Sequence, residues 1–235
     1  PPRSTPKPSS AASDVYKRQV NILRNMCQRQ STVDYTFTCI TDDETGLDKD
    51  INVIKFPDHH GIKTWWSKLW MFSKELSEKL SGTILYFDLD VVVFRNIDNL
   101  WTYEPGEFCI IQDFNRCRVK DWHVCNSSVM RWESGSLNHL WDIYAQDPQK
   151  VHGNNHGDQD FITAKEGKNA KRWPVNWIQS YKWEMVGKKD TKIRHGKKFV
   201  FQNPPTIPDD CNTAVFHGEP KPFNCGDKLI VDNWK

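Results

Sequence analysis

The sequence predicts an α/β fold: a mixed, mostly parallel sheet flanked by helices in a single domain. Three observations predict it. Apolar, β-branched segments alternate with segments of helical periodicity, the order expected when helices cover a largely parallel sheet. The run Ile84-Leu85-Tyr86-Phe87-Asp88-Leu89-Asp90-Val91-Val92-Val93-Phe94 is apolar except for two aspartates, as in a strand buried on both faces. The chain has 235 residues, enough for one large domain with a full core.

Taken in order, residues 1–19 are rich in Pro, Ser, Ala and Lys and show no periodicity. They are expected to be disordered, and the part from Ser10 to Gln19 reads as a translated linker, a non-native leader ahead of a domain spanning 20–235. Val20, Leu23, Met26 and Cys27 recur at helical spacing and predict a helix to about Arg29. Residues 35–40 and 51–56 predict two strands. Residues 65–80 predict a helix whose apolar face is Trp66, Leu69, Trp70, Phe72, Leu76 and Leu80, ended by Ser81-Gly82. The 84–94 strand follows, then a turn and short helix over 96–101. Strands are expected at 107–111 and 125–132, and a helix at 136–144. A polar loop over 152–160 leads into a short helix around Phe161 and Ile162. Late apolar pieces lie at 173–178 and 197–201, separated by a solvated turn at 188–192. A last strand, 213–216, ends at His217.

Composition excludes several classes. Lys+Arg number 32 against 30 Asp+Glu, so no nucleic-acid footprint is indicated. No apolar stretch reaches the roughly 18 residues of a membrane span, and no charged-then-apolar leader marks secretion. The seven cysteines are widely spaced, without C-x-x-C. That argues against structural zinc and for reduced thiols in a cytoplasm. Trp65 and Trp66 are expected in the core, and His59, His60, His152 and His156 on loop surfaces.

Asp88 and Asp90 carry the chemistry. Residues i and i+2 of a strand point the same way, about 6–7 Å apart. Two carboxylates in an apolar setting repel and lose hydration unless a cation compensates. A divalent metal is the simplest such cation.

Four motifs now stand in order: the strand ending in Asp88-Leu89-Asp90, then Asn126-Ser127-Ser128-Val129, then Gly157-Asp158-Gln159-Asp160, then a strand ending in His217-Gly218-Glu219-Pro220-Lys221-Pro222. Together they resemble the GT-A nucleotide-sugar glycosyltransferases. Within these, the family-eight retaining enzymes, the group of glycogenin and the bacterial lipopolysaccharide galactosyltransferases, are the most similar. The resemblance implies a GT-A-like fold and transfer of a sugar from a UDP-sugar, with retention, to a carbohydrate, lipid-linked or protein acceptor. It implies that Asp88, Asp90 and His217 hold Mn2+, or Mg2+, and that Asp88 also meets the ribose. It places Gly218 and Lys221 near the diphosphate, Lys68 as a basic donor contact, and Asn126 and Ser127 at the sugar pocket. Asp158, Gln159 and Asp160 fall under the transferred sugar.

Two departures stand out. Lys221 follows His217 by four residues where relatives place the lysine six on. Relatives also open with a strand that cradles the base. Here the linker-like stretch precedes the first helix, so the sheet is expected to lack that strand. Two rival classes fit parts of the pattern. Phe87-Asp88-Leu89-Asp90-Val91-Val92 satisfies the nucleophile motif of haloacid-dehalogenase-type phosphohydrolases, with Asp88 as nucleophile. A non-catalytic carbohydrate-binding protein would explain the eleven tryptophans, but not two acids in a buried strand.

Overall fold

The first helix begins well ahead of Val20. In the computed structural model, which describes residues 10–57, 62, 64–187, 190–194, 197–201 and 205–235, α1 spans Ser10–Gln30. Residues 10–19, expected to be disordered, are thus helical. Ala, Lys, Arg and Gln among them are good helix formers. The stretch is also anchored: Lys17 pairs with Asp43 at 2.6 Å, and Gln19 is buried. Residues 1–9 lie outside the described residues, as do His59, His60, Lys188 and Lys189. The apolar stripe Val20, Leu23, Met26 and Cys27 is buried as the periodicity requires.

The parallel pair β1 (Thr38–Thr41) and β2 (Asn52–Lys55) follows. The helix expected over 65–80 is split. A 3-10 helix over Thr64–Phe72 carries most of the aromatic face, and α2 covers only Lys74–Ser77. Ser73 is extended between them, and its hydroxyl accepts from the Leu76 N–H. A serine there stops one helix and caps the next.

The 84–94 run is also two elements rather than one strand. β3 (Thr83–Phe87) pairs antiparallel with β6 (Cys125–Glu133), while β4 (Val91–Val93) pairs antiparallel with β11 (Thr213–Val215) in another sheet. Asp88-Leu89-Asp90 is the turn that passes between the two sheets. The four-stranded sheet is completed by β5 (Cys109–Gln112) and β7 (Lys171–Arg172), in the order β3-β6-β5-β7. The second sheet has the order β4-β11-β8, with β8 at Ile178–Ser180. The parallel character expected resides in the pairs β1–β2, β5–β7 and β8–β11; β6 runs against both of its neighbours. A separate hairpin pairs β9 (Asp190–Arg194) with β10 (Lys197–Phe201), so the 190–192 part of the expected turn is strand.

Helices cover the sheets. α3 (Asp98–Thr102) is tied to β6 by Arg131, which donates to the Trp101 carbonyl at 2.9 Å and the Glu104 carbonyl at 2.5 Å. α4 (Asn138–Gln146), α5 (Pro148–Asn154) and α6 (Asp158–Glu166) pack beside the aromatic 3-10 helix. The polar 152–160 stretch is therefore largely helical, and Asp158 opens α6 instead of lying in a loop. α7 (Lys228–Asn233) closes the chain against Val91–Val93. Among the described residues no helix is long and apolar enough to cross a membrane. The seven cysteines are free thiols.

The core has two halves, and the four-stranded sheet lies between them. On β5, Cys109 and Ile111 face one half and Ile110 the other. On β6, Val129 faces the first half, Met130 and Trp132 the second. Among the described strands none pairs with the second edge of β1 or of β3. A cavity of about 990 Å³ lies between these edges and α1.

Candidate active site

The turn between β3 and β4 sits where the two sheets meet, and Lys68, Ser127, Asp158 and Lys221 gather around its two aspartates. Lys68 projects from the 3-10 helix to Asp88, with Nζ 2.9 Å from Oδ1. The same ammonium donates to Ser127 Oγ at 3.1 Å and lies 3.5 Å from Asp158 Oδ2. Ser127 Oγ in turn donates to Asp158 Oδ2 at 2.7 Å, and Tyr86 Oη donates to Asp88 Oδ1 at 2.5 Å. Burial opposes the charge on Lys68, yet Asp88 and Asp158 outweigh it and hold its pKa above the ordinary value. Burial likewise pushes the Tyr86 phenol well up, with Asp88 adding to it, so Tyr86 is a donor.

Asp90 is held separately. Lys221 Nζ lies 2.7 Å from its Oδ2. Burial raises the Asp90 pKa; Lys221 opposes this and Asp88 reinforces it. Each carboxylate of the pair thus carries an ammonium, as two close, half-buried anions require. The four-residue spacing from His217 to Lys221 does not keep this lysine from the site.

His217 follows β11 and is stacked flat on Phe114, with ring centroids 5.5 Å apart, and edge-on to Trp183 at 4.2 Å. Its Nε2 is 2.6 Å from Ser180 Oγ. Burial, aided by Lys182, pushes its pKa down to about 4, so the imidazole is neutral. Ser180 is fixed in turn: its N–H donates to Glu184 Oε2 at 2.8 Å, and buried Glu184 is paired with half-buried Arg116 at 3.1 Å. Gly218 has φ +73°, and a Cβ there would lie 3.0 Å from Lys182 Nζ; the left-handed turn and the close lysine both favour glycine.

The remaining expected residues divide. Asn126 is buried and its Oδ1 accepts from the Ser128 N–H on its own strand. Gln159 points from the first turn of α6 to Asp113, with Nε2 to Oδ2 3.5 Å. Asp160 turns away to exposed His156, 3.0 Å from its Nδ1. Asp158 and Gln159 therefore face inward, and Asp160 does not join them.

Two residues were misread or missed. Trp65 is 54% exposed and not core. Its indole packs over Gly157, where a Cβ would come within 3.1 Å of Nε1, so it stands at the rim of the site. Trp66 is buried as expected, and His152 is exposed as expected, though it lies on α5 and not in a loop, with its ring against Trp66 and Tyr144. Asp113 was not anticipated. It is buried at the end of β5 and accepts from Trp122 Nε1 at 2.9 Å and Asn115 Nδ2 at 2.7 Å. The available signal was its place at the carboxyl end of a strand, where α/β sheets carry their ligands.

Among the described residues no three His, Cys, Asp or Glu side chains converge as a metal cluster. The chemistry of the donor set nevertheless suits a divalent cation. Two carboxylates already attract cations, and a neutral imidazole stands beyond them.

No family model and no curated protein matches the chain. Solved structures do match. The fold is similar to the galactosyltransferase LgtC in complex with donor and acceptor sugar analogues, at TM-score 0.63 and 12% identity over 94% of this chain and 93% of that one. It is similar to the glycosyltransferase GlyE of Streptococcus pneumoniae TIGR4, at TM-score 0.63 and 11% identity over 94% of this chain and 57% of that one. It is also similar to the bifunctional glycosyltransferase WbbM, at TM-score 0.60 and 11% identity, with 94% and 48% covered. At such identities the likeness is one of fold. The chain has the GT-A glycosyltransferase fold over nearly its whole length.

Proposed function

We propose that this chain is a glycosyltransferase that moves a sugar from a UDP-sugar, with retention, to a carbohydrate, lipid-linked or protein acceptor. The observation that carries the reading is the Asp88, Lys68, Ser127 and Asp158 constellation at the turn joining the two sheets, in a fold whose solved neighbours are glycosyltransferases. Asp88, Asp90 and His217 would hold Mn2+, or Mg2+; a set of oxygens and one nitrogen favours manganese. When bound, the ion supplies Lewis-acid stabilisation of the departing diphosphate. Lys221 moves from Asp90 to the phosphate charge, an electrostatic clamp where charge develops. His217, whose Nε2 now meets Ser180 Oγ, would supply the nitrogen ligand of such a site. Lys68 keeps Asp88 and Asp158 in place beneath the donor. Asp158 and Gln159 face the sugar as it becomes oxocarbenium-like, where a carboxylate or amide stabilises it. Seven free thiols support a reducing, cytoplasmic setting.

The phosphohydrolase reading is weaker on topology. Its nucleophile motif belongs on the first strand of its domain, and here two strands precede β3. A thermal-shift titration separates the readings, because a ligand that binds only the folded state raises the melting temperature. UDP with Mn2+ is expected to raise Tm, and Asp90→Asn to abolish the metal-dependent part. Mg2+-dependent phosphate release from a simple phosphoester, without a UDP shift, would overturn the proposal.

A further inference from the structure

All eleven tryptophans lie among the described residues, and only Trp65 is exposed. A single exposed apolar side chain is ordinary. This one is held in place beside the candidate active site. In a 3-10 helix, residues three apart eclipse one another, with about 2 Å of rise per residue. Trp65 therefore shares a side with Lys68, about 6 Å away along the axis. Lys68 is the residue that reaches Asp88, Ser127 and Asp158. The indole also meets Gly157, the residue ahead of α6. A Cβ there would lie 3.1 Å from Nε1 and 3.3 Å from Cδ1. Gly157 is fully extended, a conformation open to any residue, so the close approach of the indole is what favours glycine. Gly157 is followed by Asp158 and Gln159, which face inward. It is preceded by exposed His156, which is paired with Asp160.

We propose that Trp65 is the platform on which the reacting end of the acceptor stacks, and that this end is a pyranose ring with one face of C–H bonds. The inference rests on the sugar-transfer reading and narrows its acceptor to one that ends in a sugar. The face of an indole is negative and attracts polarised C–H bonds. A pyranose offers a face of such bonds with hydroxyls around its edge. His156 and Asp160 supply polar partners for those hydroxyls. An aromatic wall with a few polar groups is the composition of a small-molecule site. Asp158 and Ser127 are buried and belong with the transferred sugar. The exposed indole, one helical turn from Lys68, is left for the second ring, which arrives from solvent.

The test uses the whole chain labelled with 5-fluorotryptophan, the Trp65 resonance being assigned by its absence in Trp65→Phe. Methyl glycosides of glucose, galactose, mannose and N-acetylglucosamine are titrated with UDP and Mn2+ saturating, and followed by fluorine NMR. At least one is expected to shift the Trp65 resonance saturably. Trp65→Ala is expected to bind that glycoside at least about ten-fold more weakly, as loss of an aromatic anchor does, with UDP affinity unchanged. Trp65→Phe keeps a ring and is expected to retain most of the affinity. Gly157→Ala displaces the indole without removing it and is expected to weaken binding by a smaller factor. If no glycoside moves the Trp65 resonance, or if Trp65→Ala binds as well as the wild type, the proposal is overturned. An equal loss of UDP and glycoside affinity in Trp65→Ala also overturns it, for then the indole serves the nucleotide. The two readings fail separately. No rise in Tm with UDP and Mn2+ refutes the donor reading, whereas a rise without any glycoside effect at Trp65 refutes the platform.

Discussion

His217 shows how much of the site is set by single side chains. Its imidazole is pushed down to about 4 by burial and by Lys182, against about 6.5 in an unfolded chain. Between those values the unfolded state binds the extra proton, so stability is complete above about pH 6.5 and is lost as the pH falls toward 4. Melting temperature measured from pH 7.5 to 4.5 is expected to fall through this window, and His217→Asn to flatten that part of the profile. Parallel profiles for the two proteins would show that the ring is not held neutral. Motif order singled out the histidine, the two aspartates and Ser127 as candidates. It did not single out their partners, because these are far apart in sequence: Ser180 lies 37 residues from His217, and Arg116 lies 68 from Glu184. Asp160 shows the opposite error. Adjacency to Asp158 and Gln159 suggested a shared role, but on a helix successive residues fan out by about 100°, and Asp160 leaves the site for His156.

At the scale of elements, apolar runs located strands but not their breaks. The 84–94 run reads as one strand because Leu89 continues its apolar character, yet the chain changes sheets there. Nothing local marks the turn; β11, more than a hundred residues on, provides the second pairing surface. The 65–80 stretch erred likewise. Its aromatic face fitted a long helix, and the break lay in one residue, Ser73, whose hydroxyl caps the Leu76 N–H from a buried position. Losing such a cap typically costs about 1 kcal/mol. Ser73→Ala is expected to lower stability by about that amount in urea titration with the slope unchanged. A null effect would mean that the aromatic 3-10 helix alone fixes the break. The α1 boundary failed for another reason: composition suggested disorder, while Lys17–Asp43 and buried Gln19 pin the helix to the loop after β1.

For the whole molecule, the α/β layering was legible because period-two and helical patterns survive in any context. The division of the core was legible only in part. Along β5 and β6 the side chains alternate between two apolar clusters, with Ile111 and Val129 on one side and Ile110, Met130 and Trp132 on the other. Both clusters thus rest on one set of backbone hydrogen bonds. Exposing either face removes the cover from strands that the other needs, so the halves should unfold together and not as separate units. Trp132→Ala in one half and Phe216→Ala in the other each remove a large, fully buried ring, and each is expected to cost about 3–5 kcal/mol. Denaturation followed by tryptophan fluorescence and by far-ultraviolet circular dichroism should give coincident single transitions in the wild type and in both variants. Non-coincident curves in Phe216→Ala, with the second half persisting, would mean that β3-β6-β5-β7 and its helices form a unit stable without β4-β11-β8. The Asp88–Asp90 turn would then link two independently folding parts, and its geometry would depend on how those parts dock.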